Sequence, residues 1–592
     1  MKSIAAACAL LWAGLVSALP LVPMPAEISL SKDGSAKPLC KGFKVDLQLD
    51  GAAAGCTFVS ECTEHFKRLA FGRHAPVRED VEPSTCVQSL VIRGNGGGEE
   101  EGDAFCDLDR EDLDEAYSLT LKKDGRQMLM TASSGAAVCR GLSTVLQLIE
   151  MTIESASGQE KEAFTAQTGR RRFFKIPSEI SIRDAPRFPH RGILIDSSRH
   201  FLPLPVINRL LDGMLVSKLN VLHWHVIDAQ AFPLETRELP KLWEGAYTDM
   251  ERYSLEDVQE VVEQAKSRGI RVMVELDSPG HVTAWAKTYP QLFPPDGCKG
   301  KDALDVTNED AVRAVEGLLT EFSCGSDNQA PLFGYPLVHL GGDEVNFSCW
   351  TSSEAVKERM KERGFDTPEA LYDDYVNRLY GFVLKCGGAK QKQRKPVAWD
   401  EVLVQTSAPE GTIVHSWRDL KYLKQATEKG FKALNSRGWY LDHLQVDWRS
   451  HYEVDLGAPS SLDDFPGLSA EEEKLVLGGE AAMWGESADV SNVEATTWPR
   501  TAAVAEKLWS PKAFTLKEAS SEEGMNRVGA RLQEFRCLFL SLGIPAAPLE
   551  GTGRSWPPGP GSCTQAGRAP GMWASPFPPK GEEETNLVVS EI

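Results

Sequence analysis

Residues 337–347 read LVHLGGDEVNF, an apolar run that ends in two glycines and two adjacent carboxylates, Asp343 and Glu344. Neighbouring side chains on a β-strand point to opposite faces, so a strand alone cannot bring both acids to one site. Glycine adopts backbone conformations closed to other residues. If Leu337 to Leu340 form the strand, Gly341-Gly342 frees the chain and both acids lie just beyond its carboxyl end. Taken alone, acids after two glycines fit a divalent-metal site or a solvated strand end equally well.

The surrounding pattern narrows the choice. From about Pro186 short apolar runs recur: GILID (192–196), NVLHWHVID (220–228), IRVMVELD (270–277), LVHLGGDE (337–344), PVAWDE (396–401), TIVHSW (412–417), FKALNSRGWY (431–440) and LVLGGEAAMWGE (475–486). Helical stretches separate them. In SLEDVQEVVEQAKSRG, Ser254 caps a helix, Val258, Val261, Val262 and Ala265 form its apolar stripe, and Gly269 ends it. Eight such runs with crossovers predict an α/β fold, a catalytic (β/α)8 TIM barrel over residues 186–545. Catalytic side chains of that fold sit at the carboxyl ends of the strands, which places Asp343 and Glu344 together at the mouth.

A smaller α+β domain is expected before the barrel, over residues 19–185. VQSLVIRG and AYSLTLKKDGRQMLMTA read as strands, the second with a Lys-Asp-Gly turn, and GAAVCRGLSTVLQLIEM as a helix. Gly94 to Glu115 reads as a solvated acidic loop, and TGRRRFF at 168–174 as an exposed basic loop. Residues 1–18, with Lys2, an apolar stretch and Val16-Ser17-Ala18, read as a signal peptide. Residues 546–592 are rich in Pro and Gly and read as an extended tail.

A net charge of −21 argues against a nucleic-acid partner and against docking on an anionic membrane, and no later segment has the length of a membrane span. Without Cys8, twelve of the 13 cysteines remain, an even number that favours disulfides in an oxidising compartment. The sequon Asn346-Phe347-Ser348 adjoins the acid pair, where a glycan would obstruct a site, and its use is doubted.

Paired carboxylates at a barrel mouth suit glycoside hydrolysis, in which one acid protonates the leaving oxygen. Adjacent acids also raise each other's pKa. Trp399, Trp417, Trp484 and Tyr440 end four different runs. Singly they read as packing; together they suggest an aromatic box for the apolar face of a sugar. Arg191, Asp228 and Glu486 read either as rim salt bridges or as donors and acceptors for sugar hydroxyls. His281 reads as a loop residue or a partner of the acid. His223 and His225 share a strand face without an evident third ligand and read as buried structural histidines, so no metal or organic cofactor is expected.

Together RFPHRGILIDSSRHFLP, KLNVLHWHVID, GIRVMVELDSPGH, HLGGDEV, WYLD, GGEAAMWGE and WPRTAAVAEKLWS resemble the β-N-acetylhexosaminidases of glycoside hydrolase family 20, animal lysosomal subunits included. The resemblance implies retaining hydrolysis in which the substrate's own acetamido oxygen attacks the anomeric carbon and forms an oxazolinium ion. It implies Glu344 as acid/base, Asp343 on the acetamido nitrogen and Tyr440 on its oxygen. Trp399, Trp417 and Trp484 would enclose the acetamido methyl and the sugar face. Arg191 would hold O3 and O4, Glu486 would hold O4, and Asp228 and His281 would support the acid or rim the pocket. Asp442 implies neutral substrates, with His443 offsetting part of its charge when protonated. Implied bridges are Cys56–Cys106, Cys298–Cys349 and Cys537–Cys563. Cys40, Cys62, Cys86, Cys139, Cys324 and Cys386 have no implied partners.

The chain departs from the family at Ala231, where Ser is usual, at the 165–172 insert and in the tail. Expected partners are terminal N-acetylhexosamine glycans or glycolipids and a second subunit, in a homo- or heterodimer. The secretory pathway is expected, with the lysosome as destination and the cell exterior as the alternative. Two rivals are a sugar-binding protein without activity and a metal-dependent barrel hydrolase.

Overall fold

The computed structural model describes residues 21–49, 51–72, 85–94, 104–155, 170–326, 330–386, 392–549 and Cys563. The signal peptide, part of the 94–115 loop and nearly all of the tail lie outside these residues. An eight-stranded mixed sheet comes first, built from β1 (Glu27–Leu30), β2 (Ala36–Gln48), β3 (Val87–Gly94), β4 (Tyr117–Leu121), β5 (Gln127–Ala132), β6 (Glu150–Ser155), β7 (Arg170–Pro177) and β8 (Ile180–Asp184). Its order is β1-β8-β4-β5-β3-β2-β7-β6. The Lys-Asp-Gly turn joins β4 and β5 as an antiparallel pair. The basic 168–174 stretch is not a loop from Arg170 onward. Its backbone is β7, paired antiparallel with β6, because a second strand was available to satisfy its amides.

Helix Gly135–Leu148 opens on Ser134, whose hydroxyl accepts from the Ala137 amide, and every one of its residues is buried. The helix Leu204–Val216 packs on it. An amphipathic helix leaves one face to solvent; this one is covered all round.

The barrel closes in chain order through parallel strands β9 (His190–Asp196), β10 (Val221–His225), β11 (Arg271–Glu275), β12 (Leu337–His339), β13 (Lys395–Trp399), β14 (Ile413–Ser416), β15 (Lys432–Asn435) and β16 (Val476–Met483). Each of the eight apolar runs supplies one strand. Helix Leu255–Lys266 begins in a capping box between Ser254 and Asp257, and Gly269 turns left-handed after it.

The barrel interior is layered. Val221, Met273, Tyr335, Val397, Ile413 and Leu434 fill the base, and Leu194, Trp399, Ala482 and Trp484 fill the top. Between them lie His223, Glu275, His339, His415 and Glu480, all fully buried. Barrel interiors are ordinarily filled by branched apolar side chains, so this charged middle layer is a feature of the site above it.

Candidate active site

After β12 the backbone turns left-handed at Gly341 (φ 63°), Gly342 (φ 90°) and Glu344 (φ 50°). A Cβ on Gly341 would sit 1.8 Å from Asp277 Oδ1. Instead the Gly342 amide donates to that oxygen at 2.9 Å, and the Tyr372 hydroxyl donates to the Gly342 carbonyl at 2.6 Å. The turn puts both acids at the mouth, with the Asp343 side chain 13% exposed and that of Glu344 61% exposed. His281 Nε2 lies 3.6 Å from a carboxylate oxygen of each.

The two acids are held in opposite electrostatic states. Burial, then the negative charge of Asp277, pushes the Asp343 carboxyl well above its usual range. Burial likewise raises Asp277, to about 6. Glu344 is held low, first by the facing His281 imidazole. The expectation that the neighbours raise each other therefore fails. At Asp343 burial and Asp277 outweigh His281, whereas at the more exposed Glu344 His281 outweighs burial. Asp343 Oδ1 is buried with no hydrogen-bond partner among the described residues.

Asp228 and His281 meet behind Glu344, with His281 Nδ1 3.2 Å from Asp228 Oδ1. Asp228 Oδ2 lies 2.8 Å from both His225 Nε2 and an Arg199 nitrogen. Ala231 is buried, and its carbonyl accepts from the Asp228 amide and the Ser198 hydroxyl, so this position acts through its backbone.

The aromatic residues converge as a box. Trp417 stacks on Tyr440 at 6.2 Å and 23° between planes; Trp484 lies 6.4 Å from Tyr440 and 6.0 Å from Trp399. Trp417 Nε1 donates to Glu401 at 3.0 Å, and Trp399 Nε1 to Glu275 at 2.9 Å. Burial, with the charges of Asp343 and Asp400, raises Glu401 to about 8. At the rim, Asp442 keeps one oxygen buried and unpartnered among the described residues, and Glu486 is 54% exposed.

Arg191 is not at this site. It opens β9 at the opposite end of the barrel, fully buried, and its guanidinium is spent on Glu115, the Lys218 carbonyl and the Phe188 carbonyl. The arginine at the mouth is Arg199, beyond the carboxyl end of the same strand. It reaches Asp196, Asp228 and Glu486 and lies 5.1 Å over the Trp484 ring. Its Nε is buried and unpartnered among the described residues. Sequence reading also missed Asp277, Glu275 and Glu401, although all three stand within the apolar runs that form the strands.

Among the described residues, His223-Glu275-His339, His223-His415-Glu480 and Asp277-His281-Asp343 are close enough to share an ion. His223 lies between Glu480 (2.7 Å) and Glu275 (3.1 Å), so the first two groupings already pair with one another. The disulfides are Cys56–Cys106, Cys298–Cys349 and Cys537–Cys563, together with Cys40–Cys86, Cys62–Cys139 and Cys324–Cys386. Beside Cys349, Asn346 Nδ2 donates to Asp302 at 3.0 Å, and its Oδ1 accepts from the amide and hydroxyl of Ser348.

A (β/α)8 barrel whose mouth joins two carboxylates to a box of indole rings defines a glycoside hydrolase. The sequence profile described as glycosyl hydrolase family 20, catalytic domain, matches residues 188–512, and the chain belongs to that family. It is 39% identical to beta-hexosaminidase 1 of Arabidopsis thaliana, over 92% of this chain and 94% of that one. It is 34% identical to the human beta-hexosaminidase subunit beta, over 84% and 83%. The chitobiase of Flavobacterium johnsoniae superposes with a TM-score of 0.69 at 29% identity, over 89% of this chain and 73% of that one. The enzyme is a glycoside hydrolase of the beta-hexosaminidase class.

Proposed function

We propose that the enzyme removes terminal, non-reducing β-linked N-acetylglucosamine or N-acetylgalactosamine from glycans and glycolipids, with retention through an oxazolinium ion. The observation that carries this reading is the buried Asp343 Oδ1, unpartnered among the described residues, beside the aromatic box. A fixed acceptor next to stacked rings suits an acetamido N–H whose methyl must be kept dry.

In the first step the acetamido oxygen bonds to the anomeric carbon as the glycosidic C–O bond breaks and the Glu344 proton passes to the leaving oxygen. Asp343 orients the acetamido nitrogen, whose growing positive charge favours the Asp343 anion against the burial that raises its carboxyl, and Tyr440 holds the oxygen. In the second step water adds to the anomeric carbon as its bond to the acetamido oxygen breaks, and a proton of that water returns to Glu344. A bound sugar covers Glu344, and loss of water raises a carboxyl's pKa, which counters the downward pull of His281. Arg199 takes the hydroxyl-binding role that the family resemblance implied for Arg191, with Glu486 beside it. Asp442 sets a preference for neutral sugars by repelling anions.

The animal relatives are named as subunits, which supports a dimer, and the six disulfides support a secretory or lysosomal setting. No helix among the described residues is long and apolar enough to cross a membrane. The test is release of an aryl group from an aryl β-N-acetylglucosaminide by wild type and Glu344→Gln, with and without chelator, and NMR of the first anomer formed. Chelator-insensitive activity that gives the β-anomer and is lost in the variant is expected. An α-anomer first, or full activity in Glu344→Gln, overturns the reading.

A further inference from the structure

Seven side chains behind Glu344 alternate between imidazole and carboxylate down the barrel axis. His281 faces Asp228, Asp228 faces His225, and His225 Nδ1 meets Glu275 Oε2 at 2.5 Å. From Glu275 the line continues to His223 Nε2 (3.1 Å), from His223 Nδ1 to Glu480 (2.7 Å) and from Glu480 to His190 Nε2 (2.6 Å). Apart from His281, all of them are buried.

We propose that Glu275 is a positioning residue for departure of the leaving group: through His225 and Asp228 it fixes the proton arrangement of His281 behind the acid. This inference rests on the assignment of Glu344 as that acid. Donors and acceptors decide the arrangement. His225 stands between two carboxylates, and an imidazole donates from both nitrogens only when protonated. Glu275 therefore makes His225 a cation. That cation and Arg199, both 2.8 Å from one Asp228 oxygen, keep Asp228 an anion, in line with the depressed Asp228 carboxyl and the raised His225. An anionic Asp228 accepts from His281 Nδ1, which turns Nε2 toward Glu344. When Glu344 gives up its proton, Nε2–H is in place to stabilise the carboxylate. No proton passes beyond His281, and Glu275 undergoes no chemical change.

The groups facing Glu275 from every side fit this role. His225 from β10 and the Trp399 N–H from β13 donate to it; His223 Nε2 lies 3.1 Å away and His339 Nδ1, which accepts from the Gly341 amide, 3.0 Å away, while Asp277 lies two residues on along its own run. Both carboxylate oxygens are engaged by donors, so an amide cannot satisfy them all. In Glu275→Gln the NH2 can face His225 only if Nδ1 gives up its proton and accepts, which leaves His225 neutral and Asp228 paired with Arg199 alone.

The experiment is a leaving-group series of aryl β-N-acetylglucosaminides, from 2,4-dinitrophenyl to 4-methylumbelliferyl to a sugar aglycone. A good leaving group needs little help from an acid; a poor one needs it fully. Glu275→Gln is expected to lose about 100-fold in kcat on the poor leaving group, the scale of general-acid assistance, and under about tenfold on the dinitrophenyl substrate. His225→Gln should show the same steepening and keeps the test alive if Glu275→Gln does not fold. Glu480→Gln, deeper in the line, should cost stability without steepening. Trp399→Phe keeps the ring but not the donor, and should lose activity evenly across the series.

An even loss in both Glu275→Gln and His225→Gln, or none, overturns the inference. Glu344→Gln in the same series separates the failures. If it too shows no dependence on the leaving group, the assignment of the acid has fallen; if it steepens alone, only Glu275's role has.

Discussion

Arg191 and Arg199 are eight positions apart, at the two ends of one strand, and they carry opposite duties. Arg199→Lys is expected to raise KM and lower kcat/KM at least about tenfold, because a lysine cannot fork between Asp196, Asp228 and a sugar hydroxyl. Arg191→Lys should leave KM unchanged and lower the melting temperature, since a lysine cannot replace the guanidinium that joins buried Glu115 to the Lys218 and Phe188 carbonyls. Michaelis constants and melts of the two variants side by side check both outcomes. Position relative to strand direction was the legible signal: Asp196 ends the GILID run, so only residues beyond it reach the mouth. The states of Asp343 and Glu344 were not legible, because Asp277 and His281 come from another run. Glu401 supplies a pH prediction. Its folded pKa of about 8 lies above the ordinary carboxyl value of 4.5, so the folded protein binds the extra proton between these values. Its contribution is full below pH 4.5 and lost as pH rises toward 8, at up to about 1.4 kcal/mol per pH unit. Glu401→Gln should flatten that decline in thermal melts taken across the window.

Strand β12 is three residues long, yet it sets the acid pair through the turn after it. Gly341→Ala meets both a φ of 63° and the Asp277 carboxylate. Displacing reacting groups by about 1 Å costs on the order of 100-fold in rate, so kcat should fall by about that much; crude lysate activity normalised to folded protein checks it. Elements of this kind were the most legible part of the chain. The Ser254 cap, the Lys-Asp-Gly turn and the eight apolar runs all depend on neighbours within a few residues. Strand β7 was not legible because its pairing partner β6 lies about twenty residues away and its arginines carry no apolar alternation.

At the scale of the molecule, the sheet domain is bolted to the base of the barrel. Glu115 accepts from Arg140, Arg191 and Asn220, and Asp184 from Lys218, Tyr117 and Trp509, all buried. The neighbouring arginines hold Glu115 down to about 2 despite its burial. That pairing contributes its full stability above pH 4.5 and loses it as pH falls through about 2. Glu115→Ala is expected to cost about 3–5 kcal/mol in urea unfolding, with activity at the distant mouth retained in the fraction that stays folded. None of this was legible in sequence, since each partner in the bolt and in the charged middle layer comes from a different strand or loop. The fold could be read from local periodicity; the pairing of charges needs the closed barrel.

Asn346 ties maturation of the chain to its order of events. Its side-chain nitrogen, the atom a glycan would occupy, is given to Asp302, next to a bridge that pins the same loop. A glycan on that nitrogen would have to arrive before the Asp302 bond forms, so the sequon and the Cys298–Cys349 bridge lay rival claims to one loop.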